Sequence, residues 1–157
     1  MCVGRTFGEA YAKAQLDSGV ILPRQGAALI SVRERDKEGA IELAKLLSKM
    51  GFELVATHGT AKVLAKAGVS CRRANKVREG RPHIVDMIKN GEIDFIVNTT
   101  EGKQAINESE SIRAEAVRKA VTYYTTLGAA VATCMAIEHL DDVDVNRLQD
   151  LHNEVVA

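Results

Sequence analysis

Between residues 27 and 139, short apolar runs alternate strictly with segments of helical periodicity, and this alternation narrows the possible folds more than any other feature of the chain. Five runs read as strands: AALISV (27–32), FELVA (52–56), CRRAN (71–75), IDFIVN (93–98) and AVTYY (120–124). IDFIVN is the strongest, because a near-continuous apolar run is what a strand buried on both faces requires. CRRAN is the weakest. Between the runs, residues 36–50 put Ala40, Leu43, Ala44, Leu47 and Met50 on one helical face, and 60–67 form a short helix that Gly68 ends. Pro82 stands where a helix over HIVDMIKNG can begin, Ser111 is placed to cap a helix through Lys119, and Thr125 or Thr126 opens a helix to about His139. A last amphipathic stretch, about 144–155, closes the chain. The expected fold is therefore α/β: a three-layer, doubly wound, five-stranded parallel sheet flanked by helices.

Residues 1–24 stand outside the alternation. Thr6-Phe7-Gly8-Glu9 is a capping-box pattern opening a helix over Ala10 to Leu16, and DSGVILPRQG reads as a connector. A lone helix on a linker points to the tail of a preceding domain over 1–24, followed by one domain over 25–157. The 157 residues suffice for a core without staples.

Charge and cysteine usage narrow the partners. Lys plus Arg and Asp plus Glu number 21 each, so nucleic acid and anionic membrane, which both select a basic surface, are not expected as main partners. No run approaches the ~20 apolar residues of a membrane helix. Arg5 and Glu9 within a polar helical pattern argue against a signal peptide. Cys2, Cys71 and Cys134 lie far apart, as reduced thiols in a cytoplasmic setting do.

In an open parallel sheet, ligands bind beyond the carboxyl ends of the strands. The segments expected there are SVRERDK (31–37), THGT (57–60), NKVREGRP (75–82), NTTEGK (98–103) and YYTT (123–126). All are rich in hydroxyls, amides or cations, and Lys37, Thr57, Thr60, Lys76, Asn98, Thr99 and Thr100 converge on one expected pocket. A phosphate suits it: a helix N-terminus offers free N–H groups, Gly59 admits close approach, and the lysines supply charge. Taken singly, Thr57 and Thr60 also read as plain helix caps, and the lysines as solvated charges. His58, His83, His139 and His152 lack metal spacing. Neither phosphate-loop nor dinucleotide glycine motifs occur, nor does a nucleophile elbow. Glu79 and Glu101 lie in these loops as candidate bases, and Arg78, Arg81 and Lys103 are near enough in sequence to pair with them.

The stretches GRTFGEAYAKAQL (4–16), LISVRERDK (29–37), GFELVATHGTAKVLAKAG (51–68), NKVREGRPHIVDMIKNGEIDFIVNTT (75–100) and YYTTLGAAVAT (123–133) resemble, in order and over nearly the whole chain, the C-terminal region of the carbamoyl-phosphate synthase large subunit. The first looks like the end of the second ATP-grasp synthetase half, and the rest like a regulatory domain with the methylglyoxal-synthase-like fold. The resemblance implies a segment of a longer protein, with Met1 at the segment's boundary. It implies a parent ligase that makes carbamoyl phosphate from glutamine, bicarbonate and ATP for pyrimidine and arginine biosynthesis, using magnesium or manganese and potassium. It also implies no chemistry and no cofactor in this segment, which would bind UMP or IMP as effectors. Expected partners are the synthetase halves, a glutaminase small subunit and further copies in an oligomer. Phosphate-binding roles fall by resemblance on Lys37, Thr57, Thr60 and Lys76, and ribose and base contacts on Ser31, Asn98, Thr99 and Thr100.

By the same resemblance, Tyr123 and Thr125 match ornithine-side contacts, whereas Tyr124 stands where an aspartate is expected. That change removes a carboxylate partner for a cationic amino acid. Two alternatives remain. One is a phosphate-eliminating enzyme of the methylglyoxal-synthase type, whose aspartate bases are missing from REGRPH and TTEGK. The other is a purely structural oligomerisation module.

Overall fold

The computed structural model describes residues 2–141, together with 143, 145, 147, 149, 150 and 152. Five strands form one sheet, β1 (Ala27–Ser31), β2 (Glu53–Thr57), β3 (Arg72–Ala74), β4 (Phe95–Asn98) and β5 (Thr122–Tyr124), in the order β3-β2-β1-β4-β5. Every pairing is parallel. Among the described residues the helices that accompany it are α1 (Phe7–Asp17), α2 (Lys37–Lys49), α3 (His58–Lys66), α4 (Ile84–Lys89), α5 (Lys103–Arg118) and α6 (Leu127–Glu138).

Successive side chains of a strand point to opposite faces, and here both faces are apolar. Ala28 and Ile30 of β1, Leu54 and Ala56 of β2, and Phe95 and Val97 of β4 enter one core with residues of α2, α3 and α6. Their neighbours Ala27, Leu29, Val55 and Ile96 enter the other, against Ile84, Val85 and Ile88 of α4 and Ile112 and Ala116 of α5. The result is the three-layer doubly wound sheet that the alternation predicts. β3 reads weakly in the sequence because it is a three-residue edge strand whose Arg72 and Arg73 stay exposed.

Helix starts are where sequence and structure part. α5 begins at Lys103, not at Ser111, which lies inside the helix. Its N-cap is Gly102, at φ +87 and with no side-chain cap bond, so the usual hydroxyl signal is absent. Pro82 does not open α4. His83 does, its ring nitrogen accepting the Asp86 N–H while Asp86 accepts the His83 N–H. Thr126 caps α6 and Thr6 caps α1 through their hydroxyls. The closing helix expected at about 144–155 falls largely outside the described residues.

α1 lies against α6. Ala12 is fully buried in the first core, and Leu22 of the connector joins it. A Cβ at Gly8 would come within 2.5 Å of the His139 ring and 2.9 Å of the Met135 carbonyl, so only glycine lets the two helices approach this closely. The connector is tied to β5 by the Thr122 hydroxyl, which donates to the Ile21 carbonyl at 2.8 Å.

Phe95 joins the layers. It is fully buried on a central strand, with the rings of Phe52 and Tyr124 at centroid distances of 6.1 and 5.6 Å. Phe95→Ala is expected to cost ~3–5 kcal/mol. Urea unfolding would show a lower midpoint at unchanged slope, and a midpoint within error of wild type would refute this role.

Candidate functional site

The sheet order reverses between β1 and β4. From β1 the chain winds outward to β2 and β3, and from β4 outward to β5, so the connections leaving β1 and β4 diverge and open a crevice at their carboxyl ends. Ser31 and Asn98 end these strands in register with each other, and the Thr99 N–H donates to the Ser31 carbonyl at 3.0 Å, extending the pairing into the loop.

A cavity of about 240 Å³ occupies this crevice. Ser31, Thr57, Lys76, Asn98, Thr99 and Thr100 all line it, so six of the eight expected effector contacts meet there. Thr57, Asn98 and Thr99 are buried polar residues, placed where strands stop being covered by helices. The apolar share of the wall comes from Val32, Val77, Ile84, Ala105 and Ile112.

Lys37 and Thr60 do not line the cavity; Thr60 lies in the first turn of α3, and Lys37 opens α2 with its ammonium near Gly59. Thr57 is the N-cap residue of α3, yet its side chain makes no cap bond. Its hydroxyl donates instead to the Thr60 hydroxyl at 3.4 Å, and that oxygen also accepts the Val32 N–H at 3.3 Å. The plain-cap reading of Thr57 therefore fails, and α3 keeps an N-terminus without a side-chain cap beside the cavity. Lys37, the first residue of α2, pairs with Glu34. A Cβ at Gly59 would lie 3.5 Å from the Lys37 ammonium, so the missing side chain leaves that charge close against the opening turn of α3.

A second network braces the loop after β1. The Thr99 hydroxyl accepts the Arg33 N–H at 3.1 Å and favours the charged form of the nearby Asp36 carboxylate. The Arg33 guanidinium meets the same carboxylate at 2.7 Å. Burial disfavours the charged carboxyl of Asp36, but the Thr99 hydroxyl and Arg33 outweigh it and hold the group below its ordinary range.

Of the ornithine-side candidates, Tyr123 touches the site from behind, its hydroxyl accepting from Asn98 Nδ2 at 3.0 Å. Thr125 is exposed and outside the cavity lining. Glu101 lines the cavity and is exposed, while Glu79 accepts the Lys76 backbone N–H at 2.9 Å. Arg33, Ser109 and the apolar wall were missed by sequence reading. Ala105, Ser109 and Ile112 share one helical face at spacings of four and three, a signal hidden by the late start assigned to α5. Among the described residues no group of three or more histidine, cysteine, aspartate or glutamate side chains could hold a metal ion, and no helix is long and apolar enough to cross a membrane.

The model of the MGS-like domain matches residues 39–125, more than half of the chain. This chain belongs to the MGS-like domain family. The matched span carries every cavity residue from Thr57 to Ile112; β1, the turn holding Arg33, Lys37 at the start of α2, and α1 lie outside it. Over all 157 residues the chain is 52% identical to part of the carbamoyl phosphate synthase large chain of Vibrio parahaemolyticus, covering 15% of that protein. The corresponding protein of Pseudomonas putida is 52% identical over 152 residues, 97% of this chain and 14% of its own length. That of Xanthomonas campestris is 51% identical over 157 residues and is covered to 14%. The chain thus spans about 15% of the length of these curated relatives.

The Thr99 network makes a pH prediction. With its pKa depressed in the folded state, Asp36 contributes stability that is complete above its ordinary value of 3.8 and is lost as pH falls through the lower folded value. Thr99→Val should move the Asp36 carboxyl back toward that value. The stability gap between the two proteins should be constant near neutrality and narrow in acid. Carboxyl-carbon NMR titration checks it, and an unmoved Asp36 resonance would refute the network.

Proposed function

We propose that this chain is an effector-binding regulatory domain that takes a nucleoside monophosphate, UMP or IMP, in the β1–β4 crevice. The observation that carries the reading is the meeting of Thr57, Lys76, Asn98, Thr99 and Thr100 in one cavity beside the start of α3, which lacks a side-chain cap. A phosphate there would take the free N–H groups and positive dipole end of α3. Lys76 would give it a charge-assisted bond, Thr57 a hydroxyl, and Lys37 and Thr60 support from behind. Ser31, Asn98 and Thr100 suit ribose hydroxyls, and Val77, Ile84 and Ile112 suit the flat apolar faces of a base.

The parent in this reading is a carbamoyl-phosphate synthase large subunit, a ligase using glutamine, bicarbonate and ATP with magnesium or manganese and potassium, serving pyrimidine and arginine biosynthesis in the cytoplasm. Similarity along the whole of this chain supports it. This domain would do no chemistry. It would shift the synthetase halves through the different affinity of its ligand for two states of the enzyme, a coupling of about 1–3 kcal/mol. Residues 1–24 would be the tail of the preceding synthetase domain, and a glutaminase subunit and further copies its other partners. Tyr124 in place of an acid removes a partner for ornithine.

Glu101 in the cavity wall gives a second reading, a phosphate-eliminating enzyme, one observation to stand on. Incubation with dihydroxyacetone phosphate is expected to yield no methylglyoxal, and product formation would revive it. For the main reading, Lys76→Ala and Lys37→Ala each remove a charge from the phosphate's surroundings, and UMP affinity should fall by about 1.5–3 kcal/mol for Lys76 and by less for Lys37. Isothermal calorimetry on wild type and both variants measures it, and undiminished affinity in Lys76→Ala would end the assignment.

A further inference from the structure

Resting on the nucleotide reading above, we propose that Tyr123 is a positioning residue of the cavity, whose hydroxyl fixes the Asn98 carboxamide so that the amide oxygen is presented to a sugar hydroxyl of the ligand. Asn98 ends β4, is almost fully buried and lines the cavity. Tyr123 sits one strand further out, on β5, and does not line the cavity. In the β4–β5 register Tyr123 lies opposite Ile96. Ile96 and Asn98, two residues apart, share a sheet face, so Tyr123 and Asn98 are diagonal neighbours, a separation that long side chains bridge. The bridge is the bond from Asn98 Nδ2 to the Tyr123 hydroxyl at 3.0 Å.

A primary carboxamide carries its donor and acceptor on opposite branches of one planar group. With the nitrogen drawn toward β5, the oxygen turns away from β5, toward the crevice between β4 and β1. The anchor is itself held. The Tyr123 ring packs against the second core, and the Arg113 guanidinium carbon lies 5.8 Å from its centroid. A buried amide held in this way meets the ligand as a fixed acceptor, without first losing rotamer freedom. Its natural complement is a hydroxyl donor, which a ribose has and an inorganic phosphate ion at the α3 end does not bring within reach. Tyr123 thereby serves the sugar half of the site and leaves the phosphate half untouched.

The test is calorimetry of UMP and of inorganic phosphate on the full chain in four forms: wild type, Tyr123→Phe, Asn98→Ala and the double variant. Tyr123→Phe should weaken UMP roughly three- to tenfold and leave phosphate unchanged, as loss of one orienting hydrogen bond would. In the Asn98→Ala background the same change should cost nothing further. Equal losses for UMP and phosphate, no loss for UMP, or an undiminished loss without Asn98 each overturn the proposal. Absence of binding of both UMP and IMP by the wild type overturns the function reading itself, and this inference with it. NMR of the wild type supplies a reading independent of any variant. The Asn98 side-chain amide protons should be protected from exchange with solvent, and freely exchanging protons overturn the anchor.

Discussion

A strand covered on both faces has nowhere along its length to put a polar side chain, and this constraint organises the molecule. β1, β2 and β4 send alternate residues into two separate apolar cores, so hydroxyls and amides are confined to the strand ends. Because all five strands run parallel, those ends lie on one edge of the sheet. The reversal of winding between β1 and β4 then prevents the connecting segments from closing over that edge. Cavity and polar lining are thus two consequences of one packing requirement.

The residues at the edge divide by role. Thr57, Lys76, Asn98 and Thr100 reach the cavity, whereas Thr60, Asp36 and Tyr123 hold other groups in place. Thr60 ties the β1 exit to the start of α3, and Thr99 does both jobs, lining the cavity while accepting the Arg33 N–H. Hydroxyl-to-hydroxyl bonding between Thr57 and Thr60 is what leaves the α3 N-terminus without a side-chain cap. A fold that spends a cap residue on its neighbour forgoes roughly 1 kcal/mol of helix stability, and the exposed N–H groups become available to an anion. The ion pairs Arg33–Asp36 and Lys37–Glu34 brace the short turn between β1 and α2, fixing where the Lys37 charge stands relative to Gly59.

The segment before the sheet is built into the body. Gly8 lets α1 settle on α6, Ala12 and Leu22 complete the first core, and the connector is bonded to β5. Burial in the same core pushes the Cys134 thiol up to about 12, so it stays protonated and behaves as a small apolar side chain. Tyr124, in the position where the resemblance expects an acid, packs its ring at a tilt against Phe95, and burial pushes its hydroxyl pKa up as well.

The sequence by itself determined the α/β alternation, the parallel sheet and the edge of it at which the cavity opens, because strand and helix periods and the polarity of strand ends are local properties of the chain. It also named most of the polar part of the cavity wall, since Thr57 and Asn98 end strands and Lys76, Thr99 and Thr100 stand one or two residues beyond them. Helix starts lacking a cap signal were not legible: Gly102 opens α5 with no hydroxyl, which concealed Ser109 and Ile112. Only the tertiary structure decided which polar groups face the cavity and which stand behind it. Lys37, Thr60 and Tyr123 carry the same chemistry as their neighbours, and their places depend on the strand order, on the β4–β5 register and on the space left by Gly59. Those are relations between segments far apart in the chain, which no local pattern encodes.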